Sequence, residues 1–131
     1  MIHVLIGRLN KIYFFLKLIS KISFETSLIL TSQHRVNYYG VNLTKLPAIK
    51  YLTNQSNANI TWCERLEEPN FLTSLPAAIM EICIALKIPS QAYVCYRGTL
   101  EIDINAVKEF YNVLSKSFDN IYIVSYFYVF F

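Results

Sequence analysis

The stretch LTSLPAAIMEICIALKIPSQAYVCYR, residues 72–97, decides the fold. Leu72, Leu75, Ile79, Ile82, Cys83 and Leu86 recur at three- and four-residue intervals, the spacing that lines one face of an α-helix. Pro76 is best tolerated in a first turn, where its missing N–H has no partner to lose, so Thr73 or Ser74 is the cap. The helix then runs to about Lys87, with Pro89 beyond its end. From Gln91 the period changes to two. Ala92, Val94 and Tyr96 alternate with Tyr93, Cys95 and Arg97, which is the signature of a strand.

Upstream, Ile60, Thr61, Trp62 and Cys63 read as a short strand, residues 53–59 are polar enough for a loop, and residues 46–51 stay ambiguous around Pro47. Two β-prone runs precede them, FETSLILT (24–31) and VNYYGVNL (36–43), joined by Ser32, Gln33, His34 and Arg35. Such a pair suggests an antiparallel hairpin. Downstream of Gly98, Asp103 is the expected N-cap of a second helix. Its face reads Ile104, Val107, Tyr111, Leu114 and Phe118, with Lys108, Glu109, Asn112 and Lys116 toward water. The order is β, β, β, α, β, α, with room for a last strand in IYIVSYFYVFF (121–131). The expected class is α+β: a mainly antiparallel sheet with two helices packed on one side, in a single domain over 23–118. An apolar and basic segment (1–22) precedes it, and an aromatic strand or tail (119–131) follows.

A chain of 131 residues has room for one core. Hydrophobic residues at 54% against 16% charged exclude a disordered chain. Residues 1–50 carry seven Lys or Arg against Glu25 alone, and residues 51–131 carry five against eight carboxylates, giving +6 and −3. The basic residues are scattered among apolar ones, so they read as a solvated face and no nucleic-acid partner is expected. Leu5, Leu9, Ile12, Leu16 and Ile19 recur at helical spacing among Arg8, Lys11, Lys17 and Lys21. That segment is too short to span a bilayer, which takes about 20 apolar residues. It reads as an amphipathic helix lying on its own fold, with a membrane surface as the alternative.

Little here points to catalysis. Cys63, Cys83 and Cys95 are odd in number and widely spaced, which fits neither a disulfide framework nor a zinc site and favours a reducing compartment, the cytoplasm with the nucleus also open to it. Cys83 and Cys95 fall on apolar periodicities and read as core. Cys63 with His34 is the best nucleophile–base pair on offer, and it has to be assembled from distant positions. Glu64, Glu67 and Glu68 read as partners of a helix N-terminus rather than a metal cluster. Gly7, Gly40 and Gly98 are isolated, so no glycine-rich phosphate loop exists. Trp62, Tyr38 and Tyr39 would stack nucleobases if they shared an exposed sheet beside Arg35, but core or interface is the commoner use of such aromatics. Sequons at Asn42, Asn54 and Asn59 are discounted as the chance product of an Asn- and Ser-rich chain. No catalytic residue, cofactor or metal is assigned.

Glu67, Glu68 and Pro69, then the apolar helix, the alternating strand, a short polar loop and the closing amphipathic helix, form a pattern over residues 60–116. It resembles the small proteasome assembly chaperones, the third and fourth of that set. Thr61, Trp62 and Cys63 stand where that family has a strand, residues 77–86 where it has a helix, 91–96 the next strand and 106–114 the last helix. The resemblance implies a non-enzymatic chaperone that pairs with a sibling of the same fold and holds a proteasome α subunit while the 20S α ring assembles. It carries over no contact residues.

Overall fold

The computed structural model describes residues 3–6, 26–40, 43, 45–98, 104–118 and 126–130. Its elements in chain order are β1 (His3–Ile6), β2 (Ser27–His34), a 3₁₀ turn (Arg35–Asn37), β3 (Ala48–Thr53), β4 (Glu64–Arg65), α1 (Ser74–Ala85), β5 (Ser90–Arg97), α2 (Ile104–Phe118) and β6 (Tyr126–Phe130). All six strands join one sheet in the order β1-β6-β2-β5-β3-β4.

The sheet is mixed, not mainly antiparallel. β1 with β6, β6 with β2, β2 with β5 and β3 with β4 run parallel, and β3 with β5 is the antiparallel pair. The cause lies in the connections. α2 intervenes between β5 and β6, and β3, β4 and α1 intervene between β2 and β5, and crossovers of that kind return the chain in its original direction. The expected hairpin does not form: after β2 the chain enters the 3₁₀ turn, and Tyr38, Tyr39, Gly40 and Leu43 are not in a strand. The strand expected at 60–63 begins at Glu64 instead.

The helices lie on opposite faces of the sheet rather than on one side. Leu72, Leu75, Ile79 and Cys83 of α1 and its approach pack with Ile29, Ala92, Val94 and Tyr96. Ala106, Phe110 and Val113 of α2 pack with Leu28, Leu30, Tyr93 and Cys95. Both faces of β5 are therefore buried, which is why a strand that alternates cleanly has no polar side. Cys83 and Cys95 are core residues, as their periodicity indicated.

α1 sits close to its expected bounds, with Thr73 at the N-cap but no side-chain cap hydrogen bond. Its end is closed by backbone. Ile88 N–H donates to Cys83 C=O at 2.8 Å and Lys87 N–H to Ile84 C=O at 3.2 Å, with Lys87 at φ 57°. That is the paired-bond C-terminal motif that usually places glycine where Lys87 stands. α2 meets its expected face only in part: Leu114 packs against the sheet cluster, but Ile104, Val107 and Tyr111 are exposed, while Ala106, Phe110 and Val113 are buried. Its expected cap, Asp103, lies outside the described residues, as do residues 7–25, on which most of the proposed N-terminal helix falls. Leu5 of that pattern is in β1, and residues 126–130 of the aromatic tail form the last strand.

Candidate protein-binding surfaces

The residues singled out for chemistry are not brought together. His34 ends β2 and Cys63 precedes β4, with β5 and β3 between those strands. The His34 Nδ1 accepts the Val36 N–H at 3.3 Å, capping the 3₁₀ turn. Cys63 Sγ lies 3.5 Å from the Ile49 carbonyl, and burial pushes its thiol up to about 11, against the opposing pull of Lys50. It is a protonated thiol at neutral pH, unlike a catalytic nucleophile.

Cys63 lines a cleft of about 610 Å³ along the β3–β4 edge, together with Trp62, Lys50, Glu64, Glu67 and Glu109. Lys50 sits in β3 with its side chain 11% exposed, and it pairs with Glu64 of β4 and lies 4.0 Å from Glu67. The hydrogen bond from Lys50 holds the Glu64 carboxyl below its usual range. Two of the three acids read as helix partners thus serve a buried lysine instead. Nothing in the sequence beyond the lone cation in the apolar run 48–52 signalled that pairing.

The aromatics divide between the two faces. Tyr38 packs edge-on against Tyr96, 5.0 Å between ring centres, beside the α1 cluster. Trp62 stacks on Tyr93 at 5.3 Å, and the Lys116 ammonium lies 5.1 Å from its ring centre. They form no common platform. Tyr39 is held through its backbone: its N–H donates to Asn70 Oδ1 at 2.8 Å, and Asn70 Nδ2 donates to its carbonyl at 2.6 Å. This clip fastens the loop after β2 to the loop before α1 and presents Tyr39 and Phe71, 59% and 63% exposed, on neighbouring segments. Gly40 lets the clipped loop close, because a Cβ there would meet the Tyr38 hydroxyl at 3.1 Å and Glu67 Oε1 at 3.2 Å.

Large apolar and aromatic side chains are exposed at Tyr39 and Phe71 on the two clipped loops and at Ile104, Val107 and Tyr111 on α2. Among the described residues no group of three or more His, Cys, Asp or Glu side chains is placed to hold a metal, and no helix is long and apolar enough to cross a membrane.

The sequence model of a family described as proteasome assembly chaperone 4 matches residues 12–125. Proteasome assembly chaperone 1 of Bos taurus is 33% identical over 91 residues, 67% of this chain and 32% of that protein. The Papio anubis and Homo sapiens proteins of the same name are 34% and 33% identical over 90 residues, 66% of this chain and 31% of theirs. The chain thus spans about a third of the length of these relatives. The relatives carry the name of the first chaperone and the family description that of the fourth, whereas the sequence pattern pointed to the third and fourth. With a match across residues 12–125, the chain belongs to the proteasome assembly chaperone family.

Proposed function

We propose that this chain is a non-enzymatic chaperone subunit that assists assembly of the 20S proteasome α ring, binding an α subunit as a dimer with a sibling of the same fold. The family match over residues 12–125 carries this reading. Two features of the fold support it. His34 at the end of β2 and Cys63 just before β4 are held apart by β5 and β3, and large apolar and aromatic side chains, Tyr39, Phe71 and Tyr111 among them, are exposed, a composition that interfaces favour. Such a chaperone acts by differential affinity: it stabilises one arrangement of subunits and is displaced when the next contact competes for the same surface. In this scheme the exposed Tyr39 and Phe71 meet the α subunit, Tyr39 from a backbone that Asn70 already holds and that loses little entropy on contact. The cytoplasm and nucleus are the proposed sites of action.

The test is to tag the full chain in its native cells and identify co-purifying proteins by mass spectrometry. Recovery of proteasome α subunits with a second small chaperone is the expected result. Recovery should fall when Tyr39 and Phe71 are both changed to serine. A preparation that holds neither class of protein, at normal chain abundance, refutes the reading.

A further inference from the structure

β2 and β5 are neighbours and run parallel, yet the chain leaves their carboxyl ends toward opposite faces of the sheet. After β2 it enters the loop whose Tyr38 and Leu43 pack on the α1 side, and after β5 it goes on to α2 on the other side. Connections that part in this way leave a crevice outside the strand ends, the place where open sheets with crossover helices bind their ligands. Here the crevice is a groove of about 420 Å³ lined by Arg35, Val36, Tyr38, Gly40, Leu43 and Leu46. The end of β5 abuts it: a Cβ on Gly98 would come within 3.3 Å of Leu46 Cδ1.

The charge that lines the groove is positive. Arg35 is exposed, and its guanidinium has no hydrogen-bond or ion-pair partner among the described residues. Lys45, exposed as well, lines the adjoining cleft, which shares Tyr38 and Leu43 with the groove. At the strand ends His34 stands in register with Arg97, which donates to the Ser32 hydroxyl at 3.1 Å. Among the described residues no carboxylate lines the groove. Glu67 comes near it at Gly40, but the second oxygen of that carboxylate lies 4.0 Å from the Lys50 ammonium.

We propose that this groove binds an acidic segment of a partner protein, with a carboxylate on Arg35 and a neighbouring apolar side chain against Val36, Leu43 and Leu46. The planar fork of a guanidinium matches a carboxylate and holds it by two parallel hydrogen bonds. The aliphatic walls choose the peptide. Val36 is 71% exposed beside Arg35, so an apolar side chain that covers it gains burial, which a bare phosphate does not. Tyr38 is already fixed edge-on against Tyr96, so the groove keeps its shape without a ligand. The inference rests on the groove and not on the proteasome reading.

Fluorescence anisotropy of a labelled peptide that alternates glutamate and leucine, titrated with the purified full chain up to about 500 μM, tests it. The expected result is saturable binding. Affinity should fall by about tenfold or more for a glutamine–leucine peptide and for Arg35→Glu. Lys108→Glu makes the same change in charge at an exposed position of α2 and should stay within about threefold of the parent. Arg35→Gln is the second variant, kept for the case in which Arg35→Glu lowers the thermal midpoint. Absence of saturation overturns the proposal, and so does an equal loss in the Arg35 and Lys108 variants, the mark of unspecific attraction. Inorganic phosphate that displaces the label as effectively as unlabelled peptide does overturns it too, because the groove is then a simple anion site. No proteasome component is present, so a negative result leaves the assembly reading standing, and failure to recover α subunits leaves this one standing.

Discussion

Asn54→Ala removes the side chain that joins the end of β3 to the turn between α1 and β5. Asn54 Nδ2 donates to the Ile88 carbonyl at 2.7 Å, and its Oδ1 accepts the Ser90 N–H at 2.8 Å. Ser90 is buried, so the substitution strands its N–H away from water. A buried donor left unpaired costs about 1–3 kcal/mol, and the lost bond to Ile88 adds about 1, giving roughly 2–4 kcal/mol. For a chain of this size that lowers the melting midpoint by on the order of 10 °C. Urea unfolding followed by the fluorescence of Trp62, the single tryptophan and stacked on Tyr93 in the native state, reads the loss as a fall in midpoint at unchanged slope. Asn54→Asp keeps an acceptor for Ser90 but turns an oxygen toward the Ile88 carbonyl, so it should destabilise as well. Asn59→Ala, at an exposed position in another sequon, should stay within about 0.5 kcal/mol of the parent. If Asn54→Ala also falls within that margin, the bridge contributes nothing and the reasoning fails. The same bonds make the Asn54 sequon a poor glycan acceptor, since its amide nitrogen already serves the fold.

The rotated face of α2 gives a second expectation: Phe110→Ala should cost about 3–5 kcal/mol in urea unfolding, and Tyr111→Ala less than about 0.5, the reverse of what the sequence stripe implies. Lys87 holds a left-handed conformation at the end of α1, so Lys87→Gly should raise stability by about 1 kcal/mol in the same assay. Burial raises the Cys63 thiol from 9.0 to about 11 and the Tyr96 hydroxyl from 10.0 to about 12. Both are neutral in the folded state where the unfolded chain has begun to ionise. Their contribution is complete below pH 9 and is lost as pH rises toward 11 for the thiol and from 10 toward 12 for the phenol. Unfolding midpoints measured from pH 7 to 11 should fall above pH 9, and a Cys63→Ala chain should fall less.

The candidate surfaces were less legible than the elements that carry them. Trp62, Tyr38 and Tyr39 stood out as aromatics, yet their partners Tyr93, Tyr96 and Asn70 come from segments distant in the chain. Lys50 looked like one more solvated cation, and only the arrival of β4 beside β3 gives it Glu64. The Asn70 clip has no local signal at all, because an asparagine after Glu-Glu-Pro reads as a turn residue whatever its amide meets.

What the sequence by itself determined was local. The period of three to four in residues 72–86 and the period of two in 91–97 made a helix and a strand, because each is a property of a short backbone segment and its own side chains. Only the tertiary structure decided direction and side. Whether strands pair parallel or antiparallel depends on where the connecting helices cross, and two helices placed on opposite faces bury both sides of β5 where alternation alone foretold one. In α2, Ile104, Val107 and Tyr111 satisfy helical spacing as well as Ala106, Phe110 and Val113 do. The sheet takes the second set, and its small Ala106 lets the helix approach where Phe110 and Val113 fill the space over Leu28, Leu30, Tyr93 and Cys95. Hydrophobicity summed along a helix cannot distinguish two stripes of equal spacing; the shape of the surface they must cover does.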